Sequence, residues 1–373
     1  MFCLVFLVNF QETRTLFPVT EKYAYLDNAS TSPIPKPVFE ASRNHDQERS
    51  LLGELAWDRW MMALEETREL VAQLIHARKE EIAFTKNTSE GINVIAQGIR
   101  WKRGDSVITS SVEFPSNLYP WLQLRSRGVK VKIVKPEPDG HLSLTRLKHS
   151  IDDSTKLIAI SHVQYGSGYK IDLRALREIS TDRCLIAVDG IQSMGAVDVD
   201  SRHVDFIAAG GHKWLLAPFG IGVLYVSRKT YLEPASVGWA SAKEPEKFLH
   251  NLRLATEARR FEAGNLSYSG IYGLRASLQL FFKIGVSRIE DRIKKLVDTV
   301  VSSALERKFS LQTPESSDHR AGIVNIRMRG ARRTARELAK KQVVVSSRMD
   351  GLRISPHFYN DEEDIQRVFI NLK

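Results

Sequence analysis

Seven short strand-like runs rich in apolar residues, called apolar runs below, are the feature that most constrains the fold of this chain of 373 residues. They cover residues 82–84, 106–109, 129–134, 157–160, 185–188, 206–209 and 223–226, and helical or loop segments separate several of them. Short, fully apolar runs are typical of buried parallel strands, and their alternation with helices is typical of α/β proteins. The pattern therefore predicts an α/β fold with a mostly parallel, doubly wound sheet.

A second region begins after about residue 270 and has an α+β pattern. Apolar residues recur at helical spacing from Ile289 to Ala304, and Ser287 with Glu290 resembles a capping box at the start of that helix. Two strands, a helix and an acidic helix start at 361–363 follow. We expect an N-terminal arm (1–20), a large α/β domain (21–270) and a smaller α+β domain (271–373), with part of the N-terminal segment packing on the smaller one.

Composition excludes several classes of protein. Apolar residues make up 43% of the chain, and no apolar run reaches the roughly 18 residues of a membrane span. The two cysteines, Cys3 and Cys184, form no disulfide framework and no metal-ligand spacing, which fits a reducing cytoplasm. The first ten residues lack a basic lead and a cleavage site, so we expect a packed arm there and no signal peptide.

The net charge of +10 raises the alternative of a nucleic-acid surface. The basic residues are spread along the chain, however, and the nearest cluster (327–336) alternates with apolar residues like a solvated strand edge and helix face. We therefore do not expect nucleic acid as a partner. A positive field that attracts an anionic cofactor and a carboxylate substrate is the simpler interpretation.

Two of the apolar runs end in residues that carry chemistry. Asp189 follows the run 185–188, and Lys213 follows the run 206–209 after two glycines and His212. Because ligands of doubly wound sheets bind at the carboxyl ends of the strands, both side chains are expected at one site. A lysine that forms an imine and an acid that keeps a ring nitrogen protonated are what a pyridine cofactor requires. Taken alone, Lys213 is better explained as a surface lysine that opens a loop, and Asp189 as an acid in a turn at the end of a strand.

Hydroxyl residues follow another of the runs. Thr88 and Ser89 come after the run 82–84 and open a helix, and a helix N-terminus readily binds phosphate. Simple N-capping explains the same residues about as well. Gln192, three residues after Asp189, is either a hydrogen-bond donor to a ring oxygen or a polar helix start.

With these motifs in place, the chain resembles the class V aminotransferase family of fold-type I pyridoxal-phosphate (PLP) enzymes, which includes cysteine desulfurases and isopenicillin N epimerases. The resemblance covers nearly the whole chain. It is carried by YLDNASTSPIP (25–35), FTKNTSEGIN (84–93), SSVEFPSNLYPW (110–121), SHVQYGSG (161–168), VDGIQ (188–192), GGHKW (210–214), RFEAGN (260–265) and LRISPHFYN (352–360).

The resemblance implies a role for each matching residue. Lys213 would hold PLP through an imine and move the substrate α-proton, Asp189 would pair with the ring nitrogen, and His212 would lie beside them. Arg353 would bind the substrate carboxylate, and Asn28 would line the substrate pocket. The remaining cofactor contacts would come from Thr88, Ser89, Phe114, Gln164, Gln192 and Asn265, with Tyr165 next to Gln164.

Three departures from the family pattern bear on the reaction. Phe114 replaces the histidine that relatives place over the ring, and a phenyl ring moves no protons. Gly210 replaces a hydroxyl residue. The segment 346–351 lacks the mobile cysteine on which desulfurases load sulfur. A homodimer is also implied, in which Asn265, where relatives often carry threonine, would reach the partner's phosphate.

These residues predict a PLP enzyme that acts on a small amino acid. Transamination is the first expectation. The alternatives are C–S lyase or cysteine desulfurase-like activity, epimerisation, and a non-enzymatic PLP-binding protein. A pure cofactor binder has no need of Arg353, which argues against the last of these.

Overall fold

The computed structural model describes residues 9–137 and 140–372; the expected packing of residues 1–8, with Cys3, lies outside them. The helices in the described part are α1 (Phe10–Arg14), α2 (Lys36–Leu52), α3 (Trp57–Leu74), α4 (Thr88–Gly98), α5 (Tyr119–Gln123), α6 (Leu144–Ser150), α7 (Leu173–Ile179), α8 (Tyr268–Ile284), α9 (Val286–Glu306), α10 (Ala331–Lys340) and α11 (Glu362–Asn371). The strands are β1 (Ala24–Tyr25), β2 (Ile82–Thr85), β3 (Ser106–Ser110), β4 (Lys130–Val134), β5 (Thr155–Ser161), β6 (Leu185–Asp189), β7 (Phe206–Gly210), β8 (Gly222–Val226), β9 (Val324–Arg327), β10 (Val343–Val344), β11 (Ser346–Arg348) and β12 (Gly351–Ile354).

Strands β2 to β8 form one sheet in the order β2-β8-β7-β6-β5-β3-β4. The contacts among β7, β6, β5, β3 and β4 are parallel, and β8 is antiparallel to both of its neighbours. All seven strands that the apolar runs predict are present, so the mostly parallel α/β sheet is confirmed. The parallel strands end at one edge of the sheet, where Ser161, Asp189 and Gly210 lie at the ends of β5, β6 and β7.

Successive side chains of each strand point to opposite faces of the sheet, and helices pack against both faces. On β5, Ile158 and Ile160 pack into the core that contains α8 and α9, whereas Leu157 and Ala159 pack into a second core with α4. Strands that are buried on both sides need no polar alternation, which explains the apolar sequences of β6 and β7, whereas the edge strand β4 is partly exposed and alternates lysine with apolar residues.

The C-terminal region has an antiparallel sheet in the order β11-β12-β9, and β10 pairs with β1 near the N-terminus. Arg14 of α1 also forms an ion pair with Asp364 of α11 at 2.7 Å. The N-terminal segment thus contacts this region. The expected domain boundary at residue 270 falls inside α8, and the division itself stays a prediction.

The predicted capping box at Ser287 is wrong. Helix α9 begins at Val286, directly after Gly285, and has no side-chain cap hydrogen bond. The Glu290 carboxylate accepts a hydrogen bond from the Asp198 backbone N–H at 3.0 Å, a contact between segments distant in the sequence. Because Gly285 has a positive φ of 99°, the chain turns there from α8 into α9, and this turn fixes the helix start.

Candidate active site

Asp189 lies at the end of β6 with 1% of its surface exposed. Its Oδ1 accepts a hydrogen bond from the Ile191 N–H at 3.0 Å, and its Oδ2 has no partner. Burial raises the pKa of this carboxyl to about 7, the nearby Glu113 carboxylate adds to the rise, and the Ile191 N–H and the Lys213 charge oppose it. A buried carboxylate oxygen without a donor is costly, so this atom is arranged to receive a proton-bearing ligand.

Lys213 follows β7 and is largely buried. Burial lowers the pKa of its ammonium group to about 8; Asp189 opposes the shift, and the charges of Arg353 and Arg348 contribute to it. A lysine amine is nucleophilic only when neutral, so this environment prepares Lys213 to attack an aldehyde. The neighbouring His212 stacks on Phe219 with ring centroids 4.8 Å apart, and burial lowers its pKa to about 4.

The N-terminus of α4 lies at the same edge of the sheet. Thr88 Oγ1 accepts a hydrogen bond from the backbone N–H of Gly210 at 2.9 Å, which ties the helix start to the end of β7. Ser89 is exposed, and its Oγ lies 2.8 Å from the Ser116 Oγ. The first backbone N–H groups of a helix have no acceptor within the helix, so this end offers donors to a phosphate group.

Gln192 and Asn28 make internal contacts in this structure. Gln192 accepts a hydrogen bond from Trp214 Nε1 at 2.7 Å and donates one to the Ala29 carbonyl at 2.9 Å. Asn28 donates to the Ser355 carbonyl and accepts from Ser32 and Tyr359. Each amide keeps one N–H beyond these bonds, and the cofactor and substrate roles expected for them stay predictions.

Phe114, Tyr165 and Gln164 form a wall next to Lys213. The Lys213 Nζ lies 5.8 Å from the centroid of the Phe114 ring, and that ring meets Tyr165 edge-on at 5.2 Å. Gln164 is buried, and its side-chain oxygen has no partner. Phe114 is 41% exposed, as a residue that covers a ligand from one side would be.

Glu113 organises this wall, and reasoning from the sequence did not single it out. Its buried carboxylate accepts hydrogen bonds from the Ser161 N–H, the Gln164 amide at 2.6 Å and the Asn117 amide at 2.8 Å. Burial raises its pKa, and these donors oppose the rise. Two of its three partners lie about 50 residues away, so no local pattern marks this residue; its place directly before Phe114 is the sole hint.

Arg353 of β12 is 1% exposed and reaches the same region. Its guanidinium donates to Ser346 Oγ, to the Tyr165 carbonyl, to Asp27 Oδ1 at 3.2 Å and to Ser30 Oγ at 2.6 Å. Burial lowers its pKa to about 10, with Asp27 opposing and Arg348 contributing. The structure therefore brings together Lys213, Asp189 and a guanidinium suited to a carboxylate.

Asn265 lines a cavity of about 580 Å³ together with Thr85, Lys86 and Glu90, next to the start of α4. Its side chain is exposed beside a groove of about 720 Å³ whose walls include Trp57, Trp239, Phe248 and Tyr268. The expected contact to a phosphate in a second copy is not tested by a single chain.

The residues at the strand ends fit PLP. The unpaired Asp189 Oδ2 suits the protonated ring nitrogen, Lys213 suits the aldehyde, and the α4 N-terminus suits the phosphate. Within residues 9–137 and 140–372, no group of His, Cys, Asp or Glu could hold a metal ion. No helix of the described chain is both long and apolar enough to span a membrane.

Comparisons with known proteins agree with this fit. The family model "Aminotransferase class-V" matches residues 24–368. A probable cysteine desulfurase of Methanothermobacter thermautotrophicus is 37% identical over 77% of this chain and 74% of its own length. The apo structure of the cysteine desulfurase from Thermococcus onnurineus NA1 is 31% identical, with a TM-score of 0.87 over 96% of each chain. A lysine-to-alanine mutant of C-DES, with glycine covalently linked to its PLP cofactor, shares the fold at 21% identity, with a TM-score of 0.89 over 96% of this chain and 98% of that one.

Proposed function

Because this chain belongs to the class V aminotransferase family of PLP enzymes, we propose that it cleaves the carbon–sulfur bond of a small sulfur-containing amino acid. The observation that carries the PLP chemistry is the buried Asp189, whose free Oδ2 shares a site with Lys213. Cleavage of a carbon–sulfur bond is supported by two of the similar proteins, one named a probable cysteine desulfurase and the other a cysteine desulfurase. Transamination, the first expectation from the sequence, has less support.

Bound PLP withdraws electrons from the substrate α-carbon and so allows a β-substituent to leave. In this proposal the Asp189 carboxylate keeps the ring nitrogen protonated. The neutral Lys213 amine removes the α-proton and returns it during product release. Arg353 holds the substrate carboxylate, and Phe114 shields the site from water without exchanging protons.

The sulfur leaves without a protein thiol in this proposal. Within the part of the chain that the structure describes, the free cysteine is Cys184, which is 1% exposed and has its pKa raised to about 11 by burial. It precedes β6, whereas Asp189 ends that strand, so about 16 Å of strand separate the two residues. The balanced reaction with the simplest substrate is L-cysteine + H₂O → pyruvate⁻ + NH₄⁺ + H₂S.

The experiment that tests this proposal measures all products of the purified, PLP-loaded protein with L-cysteine. We expect sulfide and pyruvate in equal amounts and no dependence on Cys184, so that Cys184→Ala retains the wild-type rate. Alanine with persulfide would indicate a desulfurase. A keto acid formed only with an amino acceptor, without sulfide, would indicate transamination. Either of these results contradicts the proposed lyase.

We also propose that the protein acts as a homodimer. The groove beside Asn265 has aromatic walls, one of which is Phe248 with 74% of its surface exposed. Leu51 and Leu55, which flank its lining residues Gly53 and Glu54 in the sequence, are 82% and 84% exposed. Exposed apolar patches of this kind mark contact surfaces. A monomeric mass in light scattering at micromolar concentration with PLP bound would contradict the homodimer. The reducing cytoplasmic location expected from the sequence likewise stays a prediction.

A further inference from the structure

The hairpin of β11 and β12 is closed by a two-residue turn. Arg348 pairs with Gly351, and the two residues between them, Met349 and Asp350, both have positive φ angles of 49° and 56°. Two residues in the left-handed region form the tight turn that best fits the twist of an antiparallel hairpin. A turn of this length holds Arg348 at a defined place on the strand.

Neighbouring side chains fix the same turn from outside the hairpin. The Asn325 amide donates to the Arg348 carbonyl at 3.0 Å and to the Gly166 carbonyl at 2.8 Å. The Gln312 amide donates to the Met349 carbonyl at 2.7 Å. The backbone of Arg348 is therefore anchored to β9 and to the turn that follows β5, next to the candidate site.

The Arg348 side chain reaches the residues that hold Arg353. Its Nη2 lies 3.3 Å from Ser30 Oγ, the hydroxyl that also accepts from Arg353 at 2.6 Å. The charge of Arg348 contributes to lowering the pKa of both Lys213 and Arg353. Two guanidinium groups and one lysine thus share a small, half-buried space.

The two arginines differ in their free hydrogen-bonding capacity. Four of the five N–H groups of Arg353 already donate to protein atoms, one of them to Asp27. Arg348 donates to the Ser347 carbonyl at 2.8 Å and weakly to Ser30. Among the described residues, no carboxylate lies within 4.0 Å of the Arg348 guanidinium. A half-buried guanidinium without a counter-ion is a ready site for an anion.

We propose that Arg348 binds a second acidic group on the side chain of the substrate, so that the preferred substrates are cysteine derivatives whose sulfur carries a carboxylate. This inference rests on the proposed C–S cleavage. Arg353 would hold the α-carboxylate while Arg348 holds the distal one, and a short chain of single bonds through sulfur joins the two acids. With S-carboxymethyl-L-cysteine, the C–S bond breaks to give pyruvate, NH₄⁺ and thioglycolate, with water consumed.

The test compares two substrates of the same shape and different charge. S-Carboxymethyl-L-cysteine carries the second acid, and S-carbamoylmethyl-L-cysteine carries a neutral amide in its place. We expect the wild type to prefer the acid by roughly 10- to 100-fold in kcat/KM, mainly through KM, because the contact is remote from the bond that breaks. In Arg348→Met the ratio of the two kcat/KM values falls to about one, because the charge that distinguishes the acid from the amide is gone. Arg348→Lys keeps the charge and part of the preference.

Arg332→Met is the matched control, because Arg332 is an exposed arginine on α10 and the variant keeps the full preference. An equilibrium arm compares inhibition by adipate, whose carboxylates are separated by four chain atoms as in S-carboxymethyl-L-cysteine, with inhibition by adipamate, in which a neutral amide replaces one carboxylate. Adipate is expected to inhibit the wild type more strongly and to lose this advantage in Arg348→Met. This arm needs no turnover of the tested ligand.

The outcomes separate this inference from the proposed function. Failure of cysteine and of both derivatives to give pyruvate contradicts the C–S lyase itself. Pyruvate from cysteine, with equal kcat/KM for the two derivatives or with an unchanged preference in Arg348→Met, overturns the second-acid site alone. A similar loss of kcat/KM for cysteine and for both derivatives in Arg348→Met would mean that Arg348 binds the α-carboxylate, which also overturns it.

Discussion

Replacing Asp189 by asparagine should change the pH dependence of stability in a defined direction. In the cofactor-free protein, Asp189 is fully buried and its Oδ2 has no partner. Burial raises its pKa from 3.8 to about 7, so the native state holds this proton at pH values where the unfolded chain has released it. The stability of the wild type therefore falls as pH rises through this window and levels off above about pH 7.

The size of this effect follows from the two pKa values. A rise from 3.8 to about 7 corresponds to roughly 4 kcal/mol of unfavourable free energy above pH 7, of which about 2–3 kcal/mol develops between pH 5 and pH 8. Asparagine removes this pH-dependent cost. Its amide N–H groups have no acceptor at the Oδ2 position, which costs about 1–3 kcal/mol at every pH. The trend of the difference with pH is thus more informative than its sign at one pH.

The assay is urea unfolding of the cofactor-free wild type and Asp189→Asn at pH 5, 6, 7 and 8. The stability of the variant relative to the wild type should increase by about 2–3 kcal/mol across the series. Asp153→Asn, at an exposed position, controls for the loss of one negative charge. PLP should bind the variant at least tenfold more weakly than the wild type, a difference of about 1.4 kcal/mol, because the variant lacks the carboxylate for the ring nitrogen. Saturating PLP should therefore stabilise the wild type more than the variant. A difference that stays constant from pH 5 to pH 8 would refute the unpaired, buried carboxylate.

The remaining predictions concern Lys213 and a buried ion pair. Lys213→Ala should abolish turnover and leave the far-ultraviolet circular dichroism spectrum unchanged; substantial residual sulfide production would contradict its role. The rate at which the apoprotein captures PLP, followed by stopped-flow absorbance, should rise with pH around an apparent pKa near 8, because burial lowers the pKa of Lys213. If Lys213 were solvated, the same plot of rate against pH would have its inflection near 10.5. Glu262→Gln removes the carboxylate charge that pairs with the buried Arg68 at 2.7 Å. Urea unfolding should therefore show that the free energy of unfolding falls by about 3–5 kcal/mol. A fall of less than about 1 kcal/mol would contradict a stabilising role for this ion pair.

The sheet was predictable from the sequence because its strands are buried on both faces. A strand such as β6 needs four or five consecutive apolar residues, and this requirement is visible without any knowledge of its neighbours. The positions of Asp189 and Lys213 follow from the same rule, since Asp189 comes directly after such a run and Lys213 follows another after three intervening residues. The placement of these two side chains at one edge of the sheet could therefore be predicted from the sequence.

Contacts between distant segments were not predictable in this way. Asp27 and Arg353 are separated by 326 residues, and β1 and β10 consist of two residues each, too short for a periodic signal. The turn between β11 and β12 has Met349 and Asp350 at its two central positions, whereas the Asp-Gly dipeptide of this segment, Asp350-Gly351, would place the turn one residue later. The place of the Arg348 guanidinium beside Ser30 depends on this turn and on the contact between the distant segments that hold Ser30 and Arg353, so it emerges from the structure alone.

The pKa shifts of the three buried charged groups at the site have one common cause, which is the loss of solvent on burial. Burial raises the pKa of Asp189 and lowers the pKa values of Lys213 and Arg353, so each charged form is less stable there than in water. In the proposed function each cost is offset by a different part of the bound molecules: the ring nitrogen, the aldehyde and the substrate carboxylate. The same argument applies to Arg348. It has no carboxylate partner among the described residues and lies near the desolvated cations Lys213 and Arg353, so this region favours one more anionic group on the ligand. Binding free energy and selectivity for acids would then come from the same desolvated charges, which the rigid sheet edge and the short hairpin hold in place.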